Sequence, residues 1–344
     1  REPGNMENVS EVTSIYLSDY YGMESLKPVY FTLFLITYIT IVGENLVLIW
    51  VVFCEKSLHA PMYFLLCNLA VNGLYGSTAL LPAVLNNLLS NSYEISLSFC
   101  QTQIYAVHTY FCILAVMGYD RYAAICFPLH YHSIMSNSKI SKLVALASLY
   151  PLIVFGCFYS LTLQLSFCGK VMPKLYCVNM ELVKNACSNS NTSYISSVGL
   201  VLLPVLIMPQ VLMIVFSYVQ ISRECRKLAR ESQINALKTC IPHLLSLLNY
   251  TIGCLFEIIQ SRFKMSHVSV EARIFLSLYF IFIPPIANPV LYGLGTQIVR
   301  VHILKLFIRY KIMSTNLVKR KYMIKTVFCL SSQLFITIVE VYLG

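Results

Sequence analysis

Charge is what this chain has least of. Only 12% of its 344 residues are Asp, Glu, Lys or Arg, about half of the roughly 25% usual for a soluble domain. Hydrophobic residues make up 57%, and the mean hydropathy is +0.68. That deficit excludes an ordinary water-soluble globule and implies a membrane protein. Other absences narrow the class further. The chain has no Gly-rich phosphate loop, no His-Glu-x-x-His or similar metal spacing, and no nucleophile motif, so it reads neither as an enzyme nor as the holder of a cofactor or metal. No internal repeat of the kind that builds transporters is visible. Ionisable residues at mid-membrane depth are scarce apart from Glu44 and Glu257. A cleavable signal peptide is also missing: residues 1–27 are polar, and the first apolar run is too long for one. That run is expected to act as an uncleaved insertion signal. The net charge of +10 is spread between apolar runs rather than gathered in one patch, so no nucleic-acid partner is expected.

The chain does contain seven apolar runs, at about 28–54, 61–89, 97–127, 140–163, 194–222, 234–260 and 271–294. Each is near the ~20 residues a helix needs to cross a bilayer. Backbone groups in hydrocarbon must bond within their own segment, so the runs predict helices rather than strands. Pro82, Pro151, Pro204, Pro209, Pro242, Pro284, Pro285 and Pro289 fall inside or near the ends of runs, where they predict kinks whose freed carbonyls are met by neighbours. With the N-terminus outside, 17 Lys and Arg lie on the inner side and 8 on the outer, which favours that orientation. The expectation is an all-α membrane protein, a seven-transmembrane bundle (residues 28–294) in the plasma membrane, with residues 1–27 extracellular.

Thirteen cysteines leave at least one unpaired. Cys67, Cys112, Cys157 and Cys254 lie in apolar runs, where Cys behaves as a small hydrophobe. Cys100, Cys168, Cys177 and Cys187 all fall on the oxidising side and allow two disulfides in three possible pairings. Asn8 and Asn191 head glycosylation sequons on that side, while the sequon at Asn249 lies in the membrane and should stay bare. Beyond the seventh run, Ile298–Lys311 mixes apolar residues with Arg300, Lys305 and Arg309, so residues 295–311 read as a short amphipathic helix on the membrane surface. Residues 312–344 form an extension whose apolar part, Met323–Leu343, is a marginal span because of Lys325, Gln333 and Glu340.

The stretch Leu114–Pro128 ends an apolar run on Asp120, Arg121 and Tyr122. A charged pair at that depth needs an interface, a partner or a cavity. A snorkelling Arg with its acidic neighbour would account for the pair by itself. Around it, however, stand Leu58-His59-Ala60-Pro61-Met62-Tyr63-Phe64, Met117-Gly118-Tyr119-Asp120-Arg121-Tyr122-Ala123-Ala124-Ile125-Cys126, Lys238-Thr239-Cys240-Ile241-Pro242-His243-Leu244 and Pro285-Ile286-Ala287-Asn288-Pro289-Val290-Leu291-Tyr292. In that order, on those runs, the chain resembles an olfactory receptor of the rhodopsin-like G-protein-coupled superfamily over about residues 25–310. Asn68-Leu69 and Asn72-Gly73-Leu74-Tyr75-Gly76 resemble its fish-type members.

The resemblance implies a receptor in which a small-molecule odorant shifts the bundle toward a packing that engages a heterotrimeric G protein of the stimulatory olfactory type, raising cyclic AMP. Asp120, Arg121, Tyr122, Asn288, Pro289 and Tyr292 would form the switch. Cys100–Cys177 and Cys168–Cys187 would be the disulfides. The ligand pocket would draw on His108, Tyr110, Phe111 and Cys112 in the third run, Tyr250, Cys254, Glu257 and Ile258 in the sixth, and Tyr279 in the seventh. For each of the aromatics, ordinary interhelical packing is the reading to set before ligand contact. Arg262 matches a position where some related receptors bind a carboxylate, an acceptor that suits its planar guanidinium; an exposed loop charge is the other reading.

Three departures from the pattern stand out. Cys100 and Asp120 are 20 positions apart, about four short of the family's habit, which removes roughly one helical turn near His108–Cys112. Asn72-Gly73 stands where many relatives carry a sodium-binding Asp, so no sodium site is expected. The long tail and short third run also fit a non-functional, degraded receptor. A multi-span transporter or channel is the alternative from another class.

Overall fold

A backbone in hydrocarbon closes its hydrogen bonds within one segment, and in the computed structural model every one of the predicted runs is helical over its described residues, save Phe127 at the end of the third. The structure describes residues 12–90, 92–106, 111–187, 191–262, 267–295 and 299–301. The seven spans are Lys27–Cys54, Pro61–Leu89, a third in two described pieces (Leu97–Ala106 and Phe111–Cys126), Asn137–Leu163, Asn191–Cys225, Arg230–Arg262 and Val270–Gly295. Spans four to six reach about three residues beyond their apolar runs, because a helix continues into polar sequence until a cap or turn stops it. On length and composition alone the first, second, fourth and sixth spans can cross a membrane, and the seventh, bent by 45° between Glu271–Tyr279 and Ile281–Gly293, makes a fifth. The bend falls where Pro284 and Pro285 follow, as expected of residues that remove helix donors.

Burial sorts the spans. The apolar window of the second is 56% buried, against 28% in the first and in the fourth, so the second lies within the bundle and the other two at its edge. Val29, Leu33, Ile36, Ile39 and Phe53 of the first span and Leu146, Leu149 and Ile153 of the fourth stay exposed. So continuous an apolar surface suits lipid, not water.

The freed carbonyls find partners. Pro289 has no N–H to offer the Pro285 carbonyl one turn back. Asn45, 1% exposed on the first span, donates its Nδ2 to that carbonyl at 3.1 Å and to Ile41 O at 2.8 Å. Gly73 makes room for this junction: a Cβ there would lie 3.6 Å from both Asn45 Oδ1 and Pro285 Cβ. One amide thus ties spans one and seven beside the second.

The polar N-terminal segment is built into the fold, which its composition did not announce. Strand β1 (Ser14–Leu17) pairs antiparallel with β2 (Glu94–Ser96) and parallel with β3 (Val171–Met172). A 3-10 helix, Ser18–Leu26, follows β1. Tyr20 stacks on Tyr93 at 5.1 Å and donates to Leu175 O at 2.9 Å, while Lys27 lies over the Tyr93 ring and bonds Ser90 O. Asp19, 4% exposed, meets Arg273 of the seventh span at 3.4 Å. Burial raises the Asp19 pKa against the pull of Arg273 and Lys174, so this ion pair is held at a desolvation cost. Cys100, at the start of span three, is joined to Cys177, and Cys168 to Cys187, with Cα separations of 5.3 and 4.9 Å.

The described residues 12–295 belong to one compact unit, Arg1–Thr296. The surface helix expected over 295–311 lies almost wholly outside the described residues, as do the 312–344 extension and Asn8.

Replacing Asn45 with Ala leaves the Pro285 carbonyl buried without its donor, so the variant should lose about 1–3 kcal/mol. The thermal midpoint of purified receptor in detergent should fall by several degrees. An unchanged midpoint would remove this junction from the fold's supports.

Candidate functional site

Two polar clusters lie near the end of the bundle opposite the N-terminal sheet, and both involve span three. The first is built from neighbours in sequence. Asp120 is fully buried, and its Oδ2 accepts from Arg121 Nη2 at 2.5 Å and Nε at 3.1 Å. The guanidinium side chain is itself only 12% exposed. The other carboxylate oxygen accepts from Tyr131 OH at 2.7 Å. Tyr131 opens the short helix Tyr131–Ile134, whose Tyr131 and Ile134 pack against Ala123, Met135 and Ile140. Burial, and then the Asp120 carboxylate, raise the Tyr131 pKa. The phenol therefore remains a donor at neutral pH, and its loop is tied to the ion pair. Both carboxylate oxygens are engaged, as a buried charge requires.

The second cluster joins three spans. His243 of the sixth span, 1% exposed, lies 2.9 Å through Nε2 from the Leu114 carbonyl of the third. Its Nδ1 lies 2.5 Å from Tyr218 OH of the fifth, with the two rings stacked at 5.7 Å and 10°. A carbonyl only accepts, so Nε2 carries the proton, and a neutral ring leaves Nδ1 to accept from Tyr218. Gly118, one turn from Leu114, allows the approach: a Cβ there would stand 3.4 Å from His243 Cε1. Asn288, Pro289 and Tyr292 of span seven are all buried, Tyr292 completely. Tyr122 instead packs outward against Phe127 and Phe216.

The pocket candidates are brought together only in part. Tyr279 donates to Asn249 Oδ1 at 2.5 Å and packs edge-on against Phe256 at 5.4 Å. Tyr250 is buried and Cys254 half-buried on the same helix, so spans six and seven meet there. His108 and Tyr110 lie outside the described residues. Phe111, Cys112, Glu257, Ile258, Arg262 and Asn191 are helical, but their side chains lie outside the description. Asn249, expected to stay unglycosylated, is half-buried under Tyr279.

Tyr131, Tyr218 and Asn45 carry site geometry without having been assigned a switch role from sequence. His243 was visible only as part of a motif. What would have singled it out is physical: a His within an apolar run needs partners for both ring nitrogens.

Seven helical spans with a buried Asp120–Arg121 pair at one end of the third make a seven-transmembrane helix bundle. The chain superimposes on the crystal structure of squid rhodopsin with a TM-score of 0.61 and 17% identity, covering 82% of this chain and 86% of that one. Residues 34–310 match the olfactory receptor family model. The chain is 30% identical to human olfactory receptor 51L1 across 89% of its length and 98% of the relative's. It is 31% identical to human olfactory receptor 52D1 across 83% and 92%, and 33% identical to human olfactory receptor 10R2 across 87% and 90%. It belongs to the olfactory receptor family and is not an enzyme. These relatives are human proteins and leave the fish-type likeness as an expectation.

Tyr131→Phe removes one hydrogen bond from a buried carboxylate, worth about 1.5 kcal/mol or more. It should raise ligand-free activity roughly tenfold, read as G-protein activation at matched surface density. Unchanged basal activity would remove Tyr131 from the latch.

Proposed function

We propose that the chain is an odorant receptor of the plasma membrane, N-terminus outside, that couples small-molecule binding to a stimulatory olfactory-type G protein and a rise in cyclic AMP. One observation carries this reading: the Arg121 guanidinium is held off the surface by Asp120, which Tyr131 holds in turn. A buried, fully bonded ion pair at a helix end can be opened only when a competing packing replaces its bonds.

The second cluster gives that packing something to move. While His243 bridges Leu114 and Tyr218, spans three, five and six are pinned together. Displacing span six breaks both His243 bonds at once and frees spans three, five and six to separate beside Arg121. The odorant, bound nearer the other end among spans three, five, six and seven with Tyr250, Cys254 and Tyr279, favours the open packing only by its differential affinity for it. Moving the equilibrium from 1:99 to 99:1 takes about 5.5 kcal/mol of such preference, more than one hydrogen bond of a small ligand supplies, so partial responses and G-protein binding share the work. Asn288, Pro289 and Tyr292 lie in the piece Ile281–Gly293 beyond the seventh span's bend and form the segment that moves with it. Asn8 and Asn191 are the glycosylation sites of this orientation. The transporter alternative has no place in a chain of this family; the degraded-receptor alternative turns on the short third span.

Expression of the full chain with a surface tag and a cyclic AMP reporter tests the reading against a panel of small odorants. Arg121→Ala should abolish ligand-evoked signal while the surface tag remains. A parallel version with four residues restored between His108 and Cys112 tests the degraded alternative. Responses from the original sequence would exclude it. Surface delivery of the restored version alone would establish it. Ligand responses that survive Arg121→Ala would overturn the proposed switch.

A further inference from the structure

Four consecutive loop residues, Lys174, Leu175, Tyr176 and Cys177, are each tied to a different element, and all four are at most 3% exposed. Cys177 is bound to span three by its disulfide to Cys100 and by its own N–H, which donates to Gln103 Oε1 at 2.9 Å. The Leu175 carbonyl accepts from Tyr20 of the N-terminal 3-10 helix at 2.9 Å. Tyr176 directs its hydroxyl at Ser277 O of span seven, over a long 3.5 Å. Lys174 donates through Nζ to Gln260 Oε1 of span six at 2.5 Å. Together they form a strap across the sheet end of the bundle, from span three to spans six and seven.

Gln260 anchors the far side of the strap. It is buried. Its Oε1 also accepts from Ser277 Oγ at 2.8 Å, and its Nε2 donates to Arg273 O at 3.2 Å. One amide thus joins span six to span seven and to the loop. The Lys174 charge has company: Asp19 lies near enough to feel it and itself pairs with Arg273 at 3.4 Å. A buried ammonium needs such neighbours, and its charge strengthens the bond to Gln260.

His243 stands on the same helix, Arg230–Arg262, about 25 Å along the axis from Gln260. Span six is therefore held at two points of different kind. At His243 the partners are a carbonyl and a phenol on spans three and five, which are free to part. At Gln260 the partner belongs to a strap fixed covalently to span three. A rod released at one end and held at the other tilts about the held end. We infer that Lys174 and Gln260 are positioning residues of the switch, forming a fulcrum at the sheet end about which span six turns when His243 lets go. Without that bond span six shifts bodily, and less of its motion reaches the Arg121 end.

This inference rests on the receptor reading and extends it to the end of span six remote from the G protein. Its test uses the full-length receptor in cells with no added ligand. G-protein activation is read against surface density in the unaltered receptor and in Tyr131→Phe. Lys174→Met removes the ammonium and keeps the stem, while Ser277 still serves Gln260 Oε1. It should lower activity about threefold or more in the more active background, the scale of one net hydrogen bond. Gln260→Leu should do the same, and the two changes together should be no worse than Gln260→Leu alone. Gln260→Glu keeps the acceptor and should retain most of the activity, a rescue that general loss of fold would not show. If Lys174→Met fails to reach the surface, the contrast between Gln260→Leu and Gln260→Glu decides. A rise in activity on loss of either residue would overturn the fulcrum and make the bond a second latch. Unchanged activity per receptor would also overturn it, leaving the strap a structural brace only. No G-protein activation from any version, Tyr131→Phe included, would count against the receptor reading itself and remove the fulcrum with it.

Discussion

A polar group in lipid has to be answered from within the protein, and that constraint explains most of what is specific about this chain. It turns each apolar run into helix. It also decides where polar side chains are placed, because each proline and each ionised group in the bundle creates a need that a neighbour must meet. The Pro285 carbonyl, freed by Pro289, is met by Asn45. The Asp120 carboxylate is met by Arg121 and Tyr131. The two nitrogens of His243 are met by Leu114 and Tyr218. Each of these bonds joins different spans, or a span to a loop, or closes the Asp120–Arg121 pair, so the network that satisfies the polar groups also fixes the packing.

The same network would make the proposed switch two-state. Apolar contacts between lipid-immersed helices change gradually and cost little to rearrange, since lipid tails are as apolar as leucine. Buried hydrogen bonds are either made or lost. A bundle whose halves are pinned by a few such bonds has discrete arrangements, and a ligand that prefers one of them acts on the whole set. At the other end the sheet of β1, β2 and β3, the Cys100–Cys177 link and the Asp19–Arg273 pair hold the N-terminal segment against the loops. That end is braced, while at the Arg121 end three side-chain bonds meet on Asp120.

Much of this architecture was legible in the sequence, for a reason. Hydrocarbon demands long apolar helices, so the second span could be placed at 61–89 and is found at Pro61–Leu89. The Asp120–Arg121 pair was legible because charge at a span's end is conspicuous against apolar sequence. The pinning partners were not. Tyr131, Tyr218 and Asn45 are ordinary residues until the fold places Asp120, His243 and Pro285 beside them, and such pairings over 11, 25 and 240 positions leave no local period. The N-terminal strand was hidden for a related reason: four residues, Ser14–Leu17, become a strand only because two loops supply its partners.

The central claim is that Arg121 and Tyr131 hold Asp120 as one unit. A double-mutant cycle on ligand-free activity measures this directly, with Asp120→Asn, Tyr131→Phe and the double variant compared at equal surface density. If they act as one latch, the double variant will be scarcely more active than Asp120→Asn alone, because the Tyr131 bond has nothing left to support. Full additivity of the two effects would contradict the account.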